Sequence, residues 1–309
     1  RAGGAQMTNY ARELDYAQLA ACLAEAAGRI LLDVRGSGLI EGKALGKAGD
    51  ETANQFLCHA IRHLRPKDGL LSEECKDTDE RLSKKRVWII DPVDGTREYG
   101  EARTDWAVHV ALAVDGVPRI GAVALPGCDL VLRSDDPQPL PEPAPNPRLV
   151  VSRTRPAKEA VEVAKRLGGE LIEMGSAGAK AMAVVRGEAE IYLHSGGQYE
   201  WDSCAPVAVA AAHGLHCSRI DGSPLVYNQA DLPPRAGRTR ARRGGRHFGP
   251  TRERRMSEFD DWIGRSITAS DTLNPARCNA LDIALGGAGG LRIGDPMPLL
   301  DHWLHFWDM

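Results

Sequence analysis

Apolar and polar positions divide the chain into short strands and amphipathic helices. Between Tyr16 and Arg35 the apolar side chains recur at helical spacing, many of them alanine, and Gly36–Gly38 stops the run. A second helix is expected after Gly49, with Asp50 as its N-cap, running to about Leu64. Pro66-Lys67-Asp68-Gly69 then turns the chain into a short buried strand, Leu70-Leu71, which ends in Ser72-Glu73-Glu74. Val87-Trp88-Ile89-Ile90 is continuously apolar and predicts a strand buried on both faces, closed by Asp91-Pro92. Val108–Val114 and Ile120–Leu125 predict a strand pair turning at Asp115–Pro118, and Cys128–Arg133 a further strand.

The run Pro137–Pro147 is too dense in proline to enter a sheet and reads as a linker. Beyond it the alternation resumes. Strands are predicted at Leu149–Ser152, Leu171–Glu173, Ala189–His194 and Gly214–Ser218, with helices at Ala157–Leu167, Ser176–Arg186 and Asp202–His213. Strands interleaved with helices indicate layered α/β or α+β packing. The pattern stops near Asp231. Residues 235–255 hold nine Arg, four Gly and no Lys, with no apolar period, so they cannot bury a face and are expected to stay disordered. These signals divide the chain into an N-terminal extension (1–15), an α+β subdomain (16–136), the linker (137–147), a second α/β subdomain (148–231), the Arg-rich stretch (232–255) and an appended piece (256–309).

Composition narrows the class. The 309 residues are 43% apolar and 26% charged, with a formal net charge of −3, an ordinary globular balance with no basic field for nucleic acid. No apolar run approaches the roughly 18–20 residues of a membrane helix, and the N-terminal residues lack the apolar core of a signal peptide. Met7 reads as a natural start. The seven cysteines are scattered, with no C-x-x-C, which points to a reduced, cytoplasmic setting.

The candidate chemistry lies in carboxylates at strand ends. Asp91 and Asp94 sit on a proline-stiffened turn, a spacing that suits a divalent cation with oxygen ligands. Gly95 permits close backbone approach, and Thr96 opens a helix whose first N–H groups suit a phosphate. Glu73-Glu74 follows another short strand, and Trp201-Asp202 opens a helix after Gly196-Gly197. Acidic metal ligands beside phosphate-gripping amides are the parts of a metal-assisted phosphoryl hydrolase. His109, within an apolar strand, reads as a core residue or one behind the ligands. Arg97, Arg153, Arg155 and Lys180 read equally as surface charges or as holders of a second phosphate. Trp88 and Trp201 read as packing residues.

Taken together, Glu73-Glu74, Trp88–Thr96 and Trp201-Asp202 resemble the signature motifs of the inositol monophosphatase superfamily, magnesium-dependent and lithium-sensitive phosphatases, over roughly Tyr16 to Asn228. Arg97-Glu98-Tyr99 after Asp94-Gly95-Thr96 resembles its CysQ-type bisphosphate nucleotidases, where inositol phosphatases usually show Thr-Asn-Phe. The resemblance implies the layered α-β-α-β-α sandwich of the sugar-phosphatase fold, an α+β class. It implies two or three Mg²⁺ ions held by the side chains of Glu73, Asp91, Asp94 and Asp202 and the carbonyl of Val93. Asp50 would orient the attacking water together with Thr96, with Glu74 as a further catalytic carboxylate. Gly95 and Thr96 would bind the scissile phosphate. Arg97, Gly175, Ser176, Ala177 and Ser195 would line the substrate. The implied substrate is a nucleotide bisphosphate, 3′-phosphoadenosine 5′-phosphate, with inositol monophosphate or fructose 1,6-bisphosphate as the runner-up, and a damaged, silent fusion chain as the other alternative. The resemblance allows a homodimer, and it requires neither nucleic acid nor a membrane.

The chain departs from that family after Gln229, where a closing strand and helix give way to the Arg-rich stretch. A bare edge on the second sheet is therefore expected. Residues 256–309 resemble, more weakly, the opening of hot-dog-fold hydratases of the mesaconyl-CoA type. The abrupt change in composition before Met256 suggests a shifted reading frame running into a neighbouring one.

Overall fold

The computed structural model describes residues 11–195, 197–219, 222–230 and 304–305. Two helices come first, α1 (Tyr16–Gly36) and α2 (Gly42–Leu64). Helix α1 is capped by Asp15, whose side chain accepts from Gln18 N while Gln18 reaches back, a reciprocal box that satisfies two donors at the helix start. A mixed sheet follows, ordered β1 (Gly69–Ser72), β2 (Arg86–Asp94), β3 (Ala107–Val114), β4 (Val117–Leu125) and β5 (Leu130–Arg133). Only β1 and β2 run parallel. The one-turn helix α3 (Thr96–Gly100) leaves the end of β2.

The second sheet is parallel, ordered β7 (Glu170–Met174), β6 (Arg148–Ser152), β8 (Ile191–Leu193) and β9 (Leu304–His305). Its helices are α4 (Lys158–Leu167), α5 (Ala177–Val185) and α6 (Glu200–Ala212). Helices α1 and α2 cover one face of the first sheet, α5 and α6 fill the space between the sheets, and α4 covers the far face of the second. The result is the expected α-β-α-β-α sandwich. Strand β2 explains the continuous apolar run: Trp88 and Ile90 face the core under α1 and α2, while Val87 and Ile89 face the core under α5 and α6.

Three local expectations are corrected. Helix α2 starts at Gly42, so Asp50 lies inside it rather than capping it. Gly46 and Gly49 look like breakers in the sequence but serve close packing. A Cβ would come within 2.8 Å of the Thr96 methyl at Gly46, and within 2.6 Å of the Tyr99 ring at Gly49. Residues Gly214–Ser218 form no ladder and contribute a single bridge residue, Ser218. The first two amides turn back on the end of α6, Gly214 N donating to Ala211 O and Leu215 N to Ala210 O, which keeps that stretch out of a ladder. Finally, the outer edge of β8 pairs in parallel with β9, Tyr192 opposite Leu304 and Leu193 opposite His305. The Arg-rich stretch, and the hydratase-like piece apart from those two residues, lie outside the described residues, as do residues 1–10.

Candidate active site

The site forms where β1 and β2 end and where α5 and α6 begin. The β2–β3 register slips between Asp91 and Asp94, a bulge that puts both carboxylates at one spot. Asp91 Oδ1 accepts from Val93 N at 3.0 Å, closing the turn. Asp202, in the first turn of α6, accepts from Tyr199 N at 2.8 Å. Ligand oxygens of Asp91, Asp94 and Asp202 all lie within 4.8 Å of one another, the only such acidic group among the described residues. Glu73 follows β1 with its amide on Ile90 O, at the edge of the same cluster.

Crowding shows in the protonation behaviour. Burial, then repulsion from Glu73, Asp94 and Asp202, raises Asp91 well above the carboxylate range. Burial and the Asp94 charge raise Asp202 to about 8. Asp50 is raised to about 8 by burial and by Glu73 and Glu74, which places Glu74, solvent-exposed, on the same side. Asp94 goes the other way: burial opposes its ionisation, but His109, Ser176 and the amide of Gly178 outweigh it and hold the carboxyl well below its usual range. Burial likewise disfavours a charged His109, yet Asp94 raises it overall. Repelling carboxylates with only oxygen donors fit a hard divalent cation, whose charge would relieve the repulsion.

Asp50 Oδ1 lies 3.3 Å from the Thr96 hydroxyl, which is also 3.1 Å from Val93 O. The α2 interior therefore delivers Asp50 to the start of α3. Gly95, at φ 88°, makes the turn between β2 and α3 and packs against Ser176. The Ser176 hydroxyl donates to Asp94 Oδ2 and accepts from Ala179 N, so it caps α5 and braces a carboxylate at the edge of the cavity. Gly175 N donates to Asp105 Oδ2 at 2.6 Å, and Ala177 begins α5. Ser195 is half-buried on the connection from β8 towards Asp202.

A cavity of about 490 Å³ opens beside Gly175 and Ser176, lined by Arg97, Arg153, Arg155, Glu98 and Lys180 among others. Arg153 pairs with Glu98 at 2.7 Å and Glu101 at 2.9 Å, and Arg97 with Glu101 at 2.8 Å. Arg155 is exposed at the mouth. Lys180 is buried, its ammonium tied to the carbonyls of Gly175 and Ser176, and burial lowers it to about 8. Trp88 is fully buried, and Trp201 stacks on Tyr199 at 4.6 Å, so both are packing residues.

Sequence reasoning assigned no role to Glu98, inside the Arg97-Glu98-Tyr99 motif, or to Asp105, although they hold Arg153 and Gly175; polarity alone gave no reason to weigh them. It also treated the cysteines as scattered, whereas Cys58 and Cys75, directly after Glu74, bring their sulfurs within 3.4 Å. Among the described residues no helix is long and apolar enough to cross a membrane.

Known proteins converge on the same region. The chain is 50% identical over 238 residues to a 3′-phosphoadenosine 5′-phosphate phosphatase of Mycobacterium leprae (strain TN), covering 72% of this chain and 88% of that protein. It is 30% identical over 192 residues to the 3′(2′),5′-bisphosphate nucleotidase CysQ of Escherichia coli (strain K12), covering 58% and 78%. The solved structure of CysQ from Bacteroides thetaiotaomicron superposes with a TM-score of 0.60 at 24% identity, over 69% of this chain and 93% of that one. The inositol monophosphatase family model matches residues 5–136 and 147–241. With its acidic cluster between two sheets and these relatives, the chain belongs to the inositol monophosphatase family of metal-dependent phosphatases.

Proposed function

We propose that the chain is a Mg²⁺-dependent, lithium-sensitive phosphomonoesterase that converts 3′-phosphoadenosine 5′-phosphate and water to AMP and phosphate. The observation that carries this is the trio of buried Asp91 and Asp94 with half-buried Asp202, beside a cavity of about 490 Å³ edged by three arginines. That volume suits a nucleotide, and arginine forks suit a phosphate distant from the reacting one. The name of the relative from Mycobacterium leprae supports the same substrate.

On this reading Asp91, Asp94, Asp202 and Glu73, with the Val93 carbonyl, hold two or three Mg²⁺ ions. Bound there, Mg²⁺ supplies positive charge against the phosphate oxygens and lowers the pKa of water. Asp50 and the Thr96 hydroxyl, 3.3 Å apart, orient the attacking water. Asp50, raised to about 8 by burial and the neighbouring carboxylates, would take a proton from that water only once bound cations offset their charge, with Glu74 as a relay to solvent. Gly95 and Thr96 hold the scissile phosphate. Gly175, Ser176, Ala177 and Ser195 shape the wall on the ribose side. Arg97, Arg153 and Arg155 take the second phosphate, and Glu98 and Glu101 keep Arg153 in place. The free nucleotide is the partner, met in the cytoplasm.

Phosphate release by the purified full chain tests the reading. Release from 3′-phosphoadenosine 5′-phosphate with Mg²⁺, suppressed by added Li⁺ and exceeding release from inositol 1-phosphate, is the expected result. Faster turnover of inositol 1-phosphate would overturn the substrate.

A further inference from the structure

His109 is fully buried on β3, directly opposite Asp91 in the β2–β3 ladder. Its Nδ1 lies 2.9 Å from the carbonyl of Trp201, the residue before Asp202. Its Nε2 lies 3.2 Å from Asp94 Oδ2. The ring also packs on the backbone of α5, so closely that a Cβ at Gly178 would come 2.0 Å from Nε2. The Gly178 amide itself donates to Asp94 Oδ2 at 2.6 Å, as does the Ser176 hydroxyl. One imidazole thus touches the bulge with Asp91 and Asp94, the turn with Asp202 and the first turn of α5.

We propose that His109 is a positioning residue of the metal site, which sets the separation between Asp94 and the Trp201–Asp202 turn. Three groups converge on Asp94 Oδ2: the Ser176 hydroxyl, the Gly178 amide and His109 Nε2. Among the described residues none is placed on Oδ1, which leaves that oxygen for a cation. The carbonyl bond at Nδ1 fixes the ring's rotation, and the ring in turn fixes how far α6 stands from β2. The inference rests on the metal-site reading above and adds to it a residue that touches neither metal nor substrate. Groups that orient metal ligands from behind typically contribute 10- to 100-fold to metal affinity.

The two ring nitrogens separate by substitution. In His109→Asn the amide replaces Nδ1 and stops short of Asp94. In His109→Gln the amide reaches the place of Nε2 and gives up the Trp201 carbonyl. Mn²⁺ binding to the metal-free full chain, read by electron paramagnetic resonance, is compared for both variants and for Asp94→Asn, with the metal-free melting temperature of each. His109→Asn is expected to bind Mn²⁺ about 10- to 100-fold more weakly. His109→Gln, which keeps the Asp94 end and loses the Trp201 end, is expected to bind it more weakly as well, both variants melting within a few degrees of the parent chain. Unchanged binding in either variant overturns the proposal, because one end of the bridge would then be dispensable. Collapse of both without metal also overturns it, because His109 would then be core filling. Unchanged binding in Asp94→Asn would instead remove the metal-site reading, and this inference with it.

Discussion

Ser176 and Asp94, 82 positions apart, share a hydrogen bond in which the Ser176 hydroxyl donates to the Asp94 carboxylate. The same hydroxyl caps α5 through Ala179 N, and Ser176 holds φ at 39°, a region that favours glycine. The bond therefore ties the end of the first sheet to the helix between the sheets, at some cost in backbone strain. Ser176→Ala is expected to lower unfolding stability by about 1–3 kcal/mol, from the lost cap and the lost bond to a charged group. Urea denaturation measures this. A loss below about 0.5 kcal/mol would mean that water replaces the hydroxyl.

Asp94→Asn and Asp202→Asn each remove a charge from the acidic trio. Turnover of 3′-phosphoadenosine 5′-phosphate is expected to fall at least about 100-fold in each, equivalent to roughly 2.7 kcal/mol of transition-state stabilisation. Steady-state kinetics at saturating Mg²⁺ reads it, and near-normal turnover in either variant would remove that residue from the ligand set.

The metal-free protein should carry the opposite signature in its stability. Asp202 is raised to about 8 in the fold, by burial first and the Asp94 charge next, from an ordinary 3.8. The folded state then binds a proton that the unfolded chain releases between those values. Its contribution is present at low pH and lost as pH rises through about 8. Without metal, the melting temperature should climb as pH falls from 8 towards 5, more steeply than in Asp202→Asn. Saturating Mg²⁺ should flatten the difference, adding about 2.7 kcal/mol at 100 times its dissociation constant. Parallel pH profiles for the two proteins would contradict the crowding of these carboxylates.

Glu190 behaves in the usual direction. Its carboxylate accepts from the amides of Ala144 and Arg148 and from the Arg148 guanidinium at 2.7 Å, anchoring the proline-rich run to the second sheet. Burial opposes its ionisation, but the Arg148 side chain and the two amides outweigh that and lower its pKa. Its stabilisation is present above the ordinary 4.5 and lost as pH falls through the lower folded value. Glu190→Gln should cost about 1–3 kcal/mol at pH 7 and progressively less below pH 4.5. A gap that does not close in acid would place the loss in packing rather than charge.

Arg155 tests how the substrate is chosen. Arg155→Gln should raise the KM for 3′-phosphoadenosine 5′-phosphate about tenfold, as for loss of one charge-assisted bond of roughly 1.5 kcal/mol. Turnover of 3′-AMP, which lacks the second phosphate, should stay unchanged. An equal effect on both substrates would place Arg155 outside phosphate recognition.

Much of this molecule follows from local pattern. The continuous run Val87–Ile90 dictates a strand buried on both faces, because that depends on neighbouring residues alone, whereas Asp91-Pro92-Val93-Asp94, read as a turn closing it, is the bulged last stretch of the same strand. The motif order from Glu73-Glu74 to Trp201-Asp202 was enough to name the family. Asp50 reads locally as a helix cap because it follows Gly49, and only the contacts of Gly46 and Gly49 with Thr96 and Tyr99 reveal a helix pressed against α3. Which carboxylates meet, that Ser176 and His109 both converge on Asp94, and that Glu98 steadies Arg153 were decided by the tertiary structure. These are contacts between residues tens of positions apart, and no periodicity along the chain records a distance that exists only once the two sheets have closed on α5 and α6.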